Sequence, residues 1–123
     1  MGGMTRVMLV EDHPVDALLL REELAALGVD WRIEEVPTFT AAAARWPGGT
    51  FELLVLDLSL PDGQGLELLG RALELSSGVP VVVLSGHAHP GLAAQTLNLG
   101  AMGYVVKDLG AATQLRDLVA QVI

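Results

Sequence analysis

From Leu53 to Leu58 the chain reads Leu-Leu-Val-Leu-Asp-Leu, with five of the six residues apolar and no polar alternation. A short run of this kind is a strand covered on both faces, which requires layers on either side, as in a parallel sheet sandwiched between helices. The exception is Asp57. A carboxylate closing a doubly covered strand is costly unless it is partnered or used, so Asp57 is the centre of the candidate site. The segment Leu60-Pro61-Asp62-Gly63-Gln64-Gly65 then carries the residues of a tight reversal, and LELLGRALEL has helical spacing.

The remaining chain repeats this pattern. Arg6 to Val10 is a first strand, ended by the acidic pair Glu11-Asp12. His13-Pro14 follows, with proline well placed in the first turn of a helix whose core face is Ala17, Leu20, Leu24 and Leu27, capped at its end by Gly28. Asp30 to Val36 alternates as a half-buried strand near a sheet edge does. Thr38 caps a short alanine-rich helix, TAAAARW, which Pro47-Gly48-Gly49 ends. Val79 to Leu84 is a fourth strand, running into Ser85-Gly86-His87. An uncharged fourth helix covers Pro90 to Leu99, Gly103 to Val106 is a fifth strand that stops at Lys107, and Ala112, Leu115, Leu118, Val119 and Val122 form the face of a last helix. Met1 to Thr5 reads as a flexible leader.

Five strands alternating with five helices imply a parallel sheet with helices on both faces and right-handed connections. At 123 residues the chain is one domain, and 51% hydrophobic against 4% aromatic residues makes its core aliphatic. No apolar run reaches the roughly 18 residues of a membrane span, and Met1 to Arg6 is too short and polar for a signal peptide, so a cytoplasmic protein without membrane contact is expected. Without cysteine there is no thiolate metal site or thiol nucleophile. A net charge of -8 and the lack of a basic block argue against nucleic-acid binding by this domain alone.

Parallel strands gather their C-terminal ends at one edge, where open α/β sheets bind ligands. Glu11, Asp12, Asp57, Ser85 and Lys107 all close strands. Three carboxylates brought together repel one another unless a proton or cation holds them, and a hard divalent ion such as Mg²⁺ (or Mn²⁺) is the usual remedy. Asp57 is then suited to attack a phosphoryl donor, with Lys107 supplying a point charge and Ser85 a hydroxyl.

On these residues the chain from Arg6 to Ile123 resembles the receiver domain of bacterial two-component response regulators, the fold of the chemotaxis regulator CheY. The resemblance implies an α/β, flavodoxin-like, doubly wound five-stranded parallel sheet of order 2-1-3-4-5. It makes Asp57 the phospho-acceptor and Glu11 and Asp12 the acidic pair. Mg²⁺ is held by Asp12, Asp57 and the backbone carbonyl of Ser59. Ser85 becomes the hydroxyl switch, Tyr104 the aromatic switch and Lys107 the phosphoryl-binding lysine, while Pro61 and Gly65 shape the loop after the acceptor. Ser59 and His87 border the path of the hydrolytic water and tune dephosphorylation. The implied partner is a sensor histidine kinase or phosphotransfer protein. The fourth helix, fifth strand and last helix form a homodimer or partner face, and the only chemistry is self-phosphorylation and autodephosphorylation. Two departures stand out: the pair is Glu-Asp and not Asp-Asp, and Asp108 follows Lys107 where proline is frequent. Lys107-Asp108 with His13-Pro14 resembles receivers of LuxR-type regulators, which carry a helix-turn-helix output domain. A single-domain regulator and the N-terminal half of a longer one both stay open.

Plainer readings compete at each position. Asp57 alone is also a strand-end acid, Lys107 a surface lysine, Ser85 a turn former and Tyr104 simple packing. A metal role for His13, His87 and His89 is set aside because no third ligand shares their loop and no zinc spacing is present. Leu92, Ala93, Leu97 and Leu99 cannot all face the core, so the fourth helix either exposes apolar area for docking or is buried more than usual. Three rival functions remain. A phosphohydrolase passing through an aspartyl phosphate needs an acid where Ser59 stands, a pseudo-receiver binds partners without phosphorylation, and a flavin module lacks its phosphate loop after the first strand.

Overall fold

The computed structural model describes residues 5–121. A five-stranded parallel sheet is built from β1 (Thr5–Val10), β2 (Trp31–Val36), β3 (Leu53–Asp57), β6 (Val81–Ser85) and β7 (Gly103–Val106), in the order β2-β1-β3-β6-β7. Two short strands, β4 (Ser59–Leu60) and β5 (Gly63–Gln64), pair separately; counting the other five alone, the order is 2-1-3-4-5, the doubly wound α/β arrangement expected. The helices are α1 (Pro14–Ala26), α2 (Phe39–Arg45), α3 (Gly65–Ser76), α4 (Pro90–Leu99) and α5 (Ala111–Ala120). Strand β1 starts at Thr5, one residue earlier than the apolar run suggests. Met1–Met4 and Val122 lie outside the described residues.

The sheet separates two aliphatic cores because alternate residues of each strand point to opposite faces. Met8, Val10, Leu54, Leu56 and Val83 pack with Leu68 and Leu69 of α3 and Phe39 and Ala42 of α2. Val7, Leu9, Leu53, Val55 and Val82 pack with Leu20 and Leu24 of α1 and Leu115 and Val119 of α5. The central strand β3 is buried throughout, as a strand with helices on both sides must be.

Local chemistry sets the helix ends. The Thr38 hydroxyl accepts the Ala41 N–H at 3.0 Å at the start of α2. Helix α1 closes in a Schellman motif, with the Gly28 N–H on the Ala25 carbonyl and the Val29 N–H on the Leu24 carbonyl, both at 3.0 Å; Gly28 takes φ +78°, which a side chain would strain. Leu27, read as core, sits at this cap and is exposed. Leu97 and Leu99 of α4 are exposed while Thr96 is buried, so this helix does present apolar surface. Helix α1 adds a second patch, Val15, Leu18 and Leu19.

Candidate functional site

Asp57 ends β3 and is only 3% exposed. Its Oδ2 accepts from Lys107 Nζ at 2.9 Å, and its Oδ1 accepts from the Ser59 backbone N–H at 2.9 Å. Glu11, one residue beyond β1, is buried beside it, tied by its own N–H to the Val36 carbonyl at 3.0 Å. Lys107, one residue beyond β7, donates its backbone N–H to the Ser85 carbonyl at 2.8 Å. Its ammonium pairs with Glu11 Oε1 and, at 3.3 Å, with Asp16 Oδ2 of α1. Sheet register thus brings the ends of β1, β3 and β7 onto one ammonium.

Burial alone would lower the Lys107 pKa, but hydrogen bonds to Glu11 and Asp57 outweigh it and hold the amine above the ordinary lysine range. Burial pushes the Glu11 carboxyl up to about 7, helped by its contact with Asp57 and opposed by Lys107. The edge therefore holds more negative charge than one ammonium neutralises. Asp12 Oδ1 is buried with no hydrogen bond, although His13 Nδ1 lies 3.2 Å away. One ligand atom each from Glu11, Asp12, His13 and Asp57 falls within 4.8 Å of all the others. The three carboxylates of this group fit a hard divalent ion, because carboxylate oxygens are its preferred ligands and Asp12 Oδ1 is a buried acceptor without a hydrogen bond.

The loop after Asp57 is more ordered than its turn residues alone suggest. Ser59–Leu60 (β4) and Gly63–Gln64 (β5) pair as a two-stranded antiparallel ribbon, with Pro61 and Asp62 at its tip. Gly65 returns its N–H to the Leu58 carbonyl at 2.9 Å in a left-handed conformation, φ +66°, that glycine adopts without strain. The Asp62 carboxylate reaches the N-terminus of α2, accepting the Phe39 and Thr40 N–H groups at 3.0 and 2.8 Å and the Thr40 hydroxyl at 2.7 Å. The Thr40 hydroxyl above all, and then these two N–H groups, lower its pKa to about 2.

Ser85 ends β6, but its hydroxyl is engaged with the following loop. It donates to the His87 carbonyl at 3.2 Å and accepts the His87 N–H at 3.3 Å. The Tyr104 hydroxyl donates to the same carbonyl at 2.8 Å. His89 caps α4, its Nδ1 accepting the Leu92 N–H at 3.0 Å, whereas His13 stands in the acidic cluster. Asp108, in place of the frequent proline, uses the N–H that proline lacks to bond the Val106 carbonyl at 2.8 Å. Sequence reasoning missed Asp16 and set aside His13. The signal for Asp16 was its position four residues after Asp12, in the first turn of a helix that starts at the site edge.

A doubly wound α/β domain with a buried acid, an acidic pair and a lysine at the C-terminal sheet edge defines the receiver class. Residues 7–120 match the family model described as the response regulator receiver domain, and the chain belongs to that family. It is similar to the methanogenesis regulatory protein FilR1 of Methanothrix harundinacea, with 34% identity over 125 aligned positions covering 98% of this chain and 28% of that protein. It is 37% identical to the transcriptional regulatory protein UhpA of Salmonella typhimurium, over 85% of this chain and 52% of that one. The chain thus spans about half or less of the length of these curated relatives. The non-phosphorylated receiver domain of the stress response regulator RcsB from Escherichia coli superimposes with a TM-score of 0.85 at 25% identity, covering 98% of this chain and 93% of that chain. LuxR-type regulators are therefore among its homologues, as the pairs Lys107-Asp108 and His13-Pro14 led us to expect.

Proposed function

We propose that these residues form a single receiver domain that works as a phosphorylation-controlled switch in a two-component system, with Asp57 as phospho-acceptor. The observation that carries this reading is the pair of buried Asp57 Oδ2 and half-buried Lys107 Nζ at 2.9 Å, at the edge where open α/β sheets bind ligands. A carboxylate oxygen of Asp57 attacks the phosphorus of a donor, either the phosphohistidine of a sensor histidine kinase or phosphotransfer protein, or acetyl phosphate. A P–O bond to Asp57 forms as the donor's P–N or P–O bond breaks, and the bonding pair leaves with imidazole or acetate. Mg²⁺ or Mn²⁺, held by Asp12, Asp57 and the Ser59 carbonyl with Glu11 beside them, would neutralise charge on the phosphoryl oxygens.

Lys107 is already paired with Asp57 and stabilises the charge that moves onto the transferred group. Ser85 exchanges the His87 carbonyl for a phosphoryl oxygen, and Tyr104 follows into the space it leaves, biasing an existing two-state equilibrium. The surface that changes is α4, β7 and α5, where exposed Leu97 and Leu99 offer apolar area to a partner or a second copy. Ser59 and His87 border the approach of water and tune the lifetime of the phosphorylated state. The domain acts on no external substrate beyond its phosphodonor, and we place it in the cytoplasm. Among the described residues no helix is long and apolar enough to cross a membrane.

Intact mass after incubation with acetyl phosphate and Mg²⁺ tests this reading. One phosphoryl adduct is expected on the native chain and none on Asp57→Asn; an adduct that survives the substitution overturns it.

A further inference from the structure

His13 brings a nitrogen donor into an edge otherwise made of oxygen. Its Nδ1 lies 3.2 Å from Asp12 Oδ1 and 3.4 Å from Glu11 Oε2. Ligands of one tetrahedral ion with bonds of about 2.0–2.1 Å are about 3.3 Å apart, so these separations are those of neighbours on a shared ion. Lys107 occupies Glu11 Oε1, which leaves Oε2 on the His13 side. The Glu11 side chain is 1% exposed, and Asp12 Oδ1 is buried with no hydrogen bond. The His13 side chain is 62% exposed, so its ring can turn toward an ion without unpacking a core.

We propose that His13 adds an imidazole ligand to this acidic edge, so that the site takes Zn²⁺ as well as Mg²⁺ and the two ions compete for it. The inference rests on the metal site of the proposed function and goes beyond it. Mg²⁺ prefers oxygen and gains little from imidazole. Zn²⁺ binds imidazole and carboxylate together, and Glu11, Asp12, His13 and Asp57 make the four donors of a closed tetrahedral site. A closed site leaves no position on the metal for a phosphoryl oxygen, so Zn²⁺ acts here as an inhibitor of phosphorylation.

Calorimetric titration of the whole chain and of His13→Gln with Zn²⁺ and, separately, with Mg²⁺ tests this, together with long-range nitrogen NMR of the histidine rings. Loss of His13 weakens Zn²⁺ by at least about tenfold and Mg²⁺ by less than about threefold. Zn²⁺ shifts the Nδ1 resonance of one ring, that resonance is missing in His13→Gln, and excess Mg²⁺ reverses the shift. An unchanged Zn²⁺ affinity in His13→Gln overturns the inference and puts the ion on His87, His89 or elsewhere. Equal weakening of both ions also overturns it, leaving His13 only a hydrogen-bond partner of the carboxylates. Mg²⁺ binding without a His13 effect on Zn²⁺ defeats this inference alone, whereas failure of the native chain to bind either ion defeats the metal site with it.

Discussion

The hydroxyls of Ser85 and Tyr104 converge on one acceptor, the His87 carbonyl, at 3.2 and 2.8 Å. The two candidate switch residues thus hold the same point of the loop between β6 and α4, and withdrawing Ser85 leaves Tyr104 as its remaining side-chain tie. Tyr104→Phe removes that tie at a stability cost of about 1 kcal/mol or less, since the bond is exposed. Amide exchange over residues 86–89 should accelerate while exchange in β6 stays unchanged. Equal acceleration in β6 would mean the tyrosine holds the sheet and not the loop.

Lys107 neutralises buried charge, so its loss should depend on pH. Lys107→Met leaves Glu11 and Asp57 facing each other without a cation, at a cost of about 3 kcal/mol near pH 8. Glu11, raised to about 7 even with Lys107 opposing the shift, is pushed further up once the cation is gone, and the proton it takes up as pH falls relieves the repulsion. Urea unfolding at pH 8 and pH 5.5 should therefore show the larger penalty at the higher pH.

Glu11 itself has a defined window. Burial first, and then the contact with Asp57, raise its folded pKa from 4.5 to about 7. A folded pKa above the unfolded one means that stability is fully present below 4.5 and is lost as pH rises through about 7. In metal-free buffer Glu11→Gln should remove this loss, so that the stability difference between variant and native chain grows with pH across that window. A difference that is flat with pH would show that Glu11 titrates normally in the fold.

Asp62 runs in the opposite direction. Its folded pKa is lowered from 3.8 to about 2, so its contribution is present above 3.8 and lost as pH falls through about 2. Asp62→Ala removes three hydrogen bonds at the start of α2 and should cost about 1 kcal/mol at neutral pH, as loss of a helix cap does. The same substitution made below pH 2 should cost little.

Four of the five main strands were legible as aliphatic runs and β2 by the alternation of a half-covered edge strand; α4 and β7 lie where the pattern placed them. The strand-end residues followed from topology alone, since parallel strands share one edge. Side-chain contacts across that edge did not. Asp16 reaches Lys107 across 91 residues, a meeting set by how α1 leaves β1 and β7 enters α5. Asp62 reads as a turn former because α2, which it caps, lies 22 residues earlier. His13 stands beside Glu11 and Asp12 in its own loop, but Asp57, the remaining donor of the cluster, arrives from a different strand. Leu27 keeps the helical spacing of the core face but falls in the cap, where the chain has already turned away.

The central claim is that Asp57, and no other acid of the cluster, receives the phosphoryl group. Borohydride reduction of the acetyl phosphate-treated protein converts an aspartyl phosphate into homoserine, and peptide mass mapping then locates it. Homoserine at position 57 alone is the predicted result. Homoserine at position 12 or 16, or none despite a phosphoryl adduct on the intact chain, would contradict it.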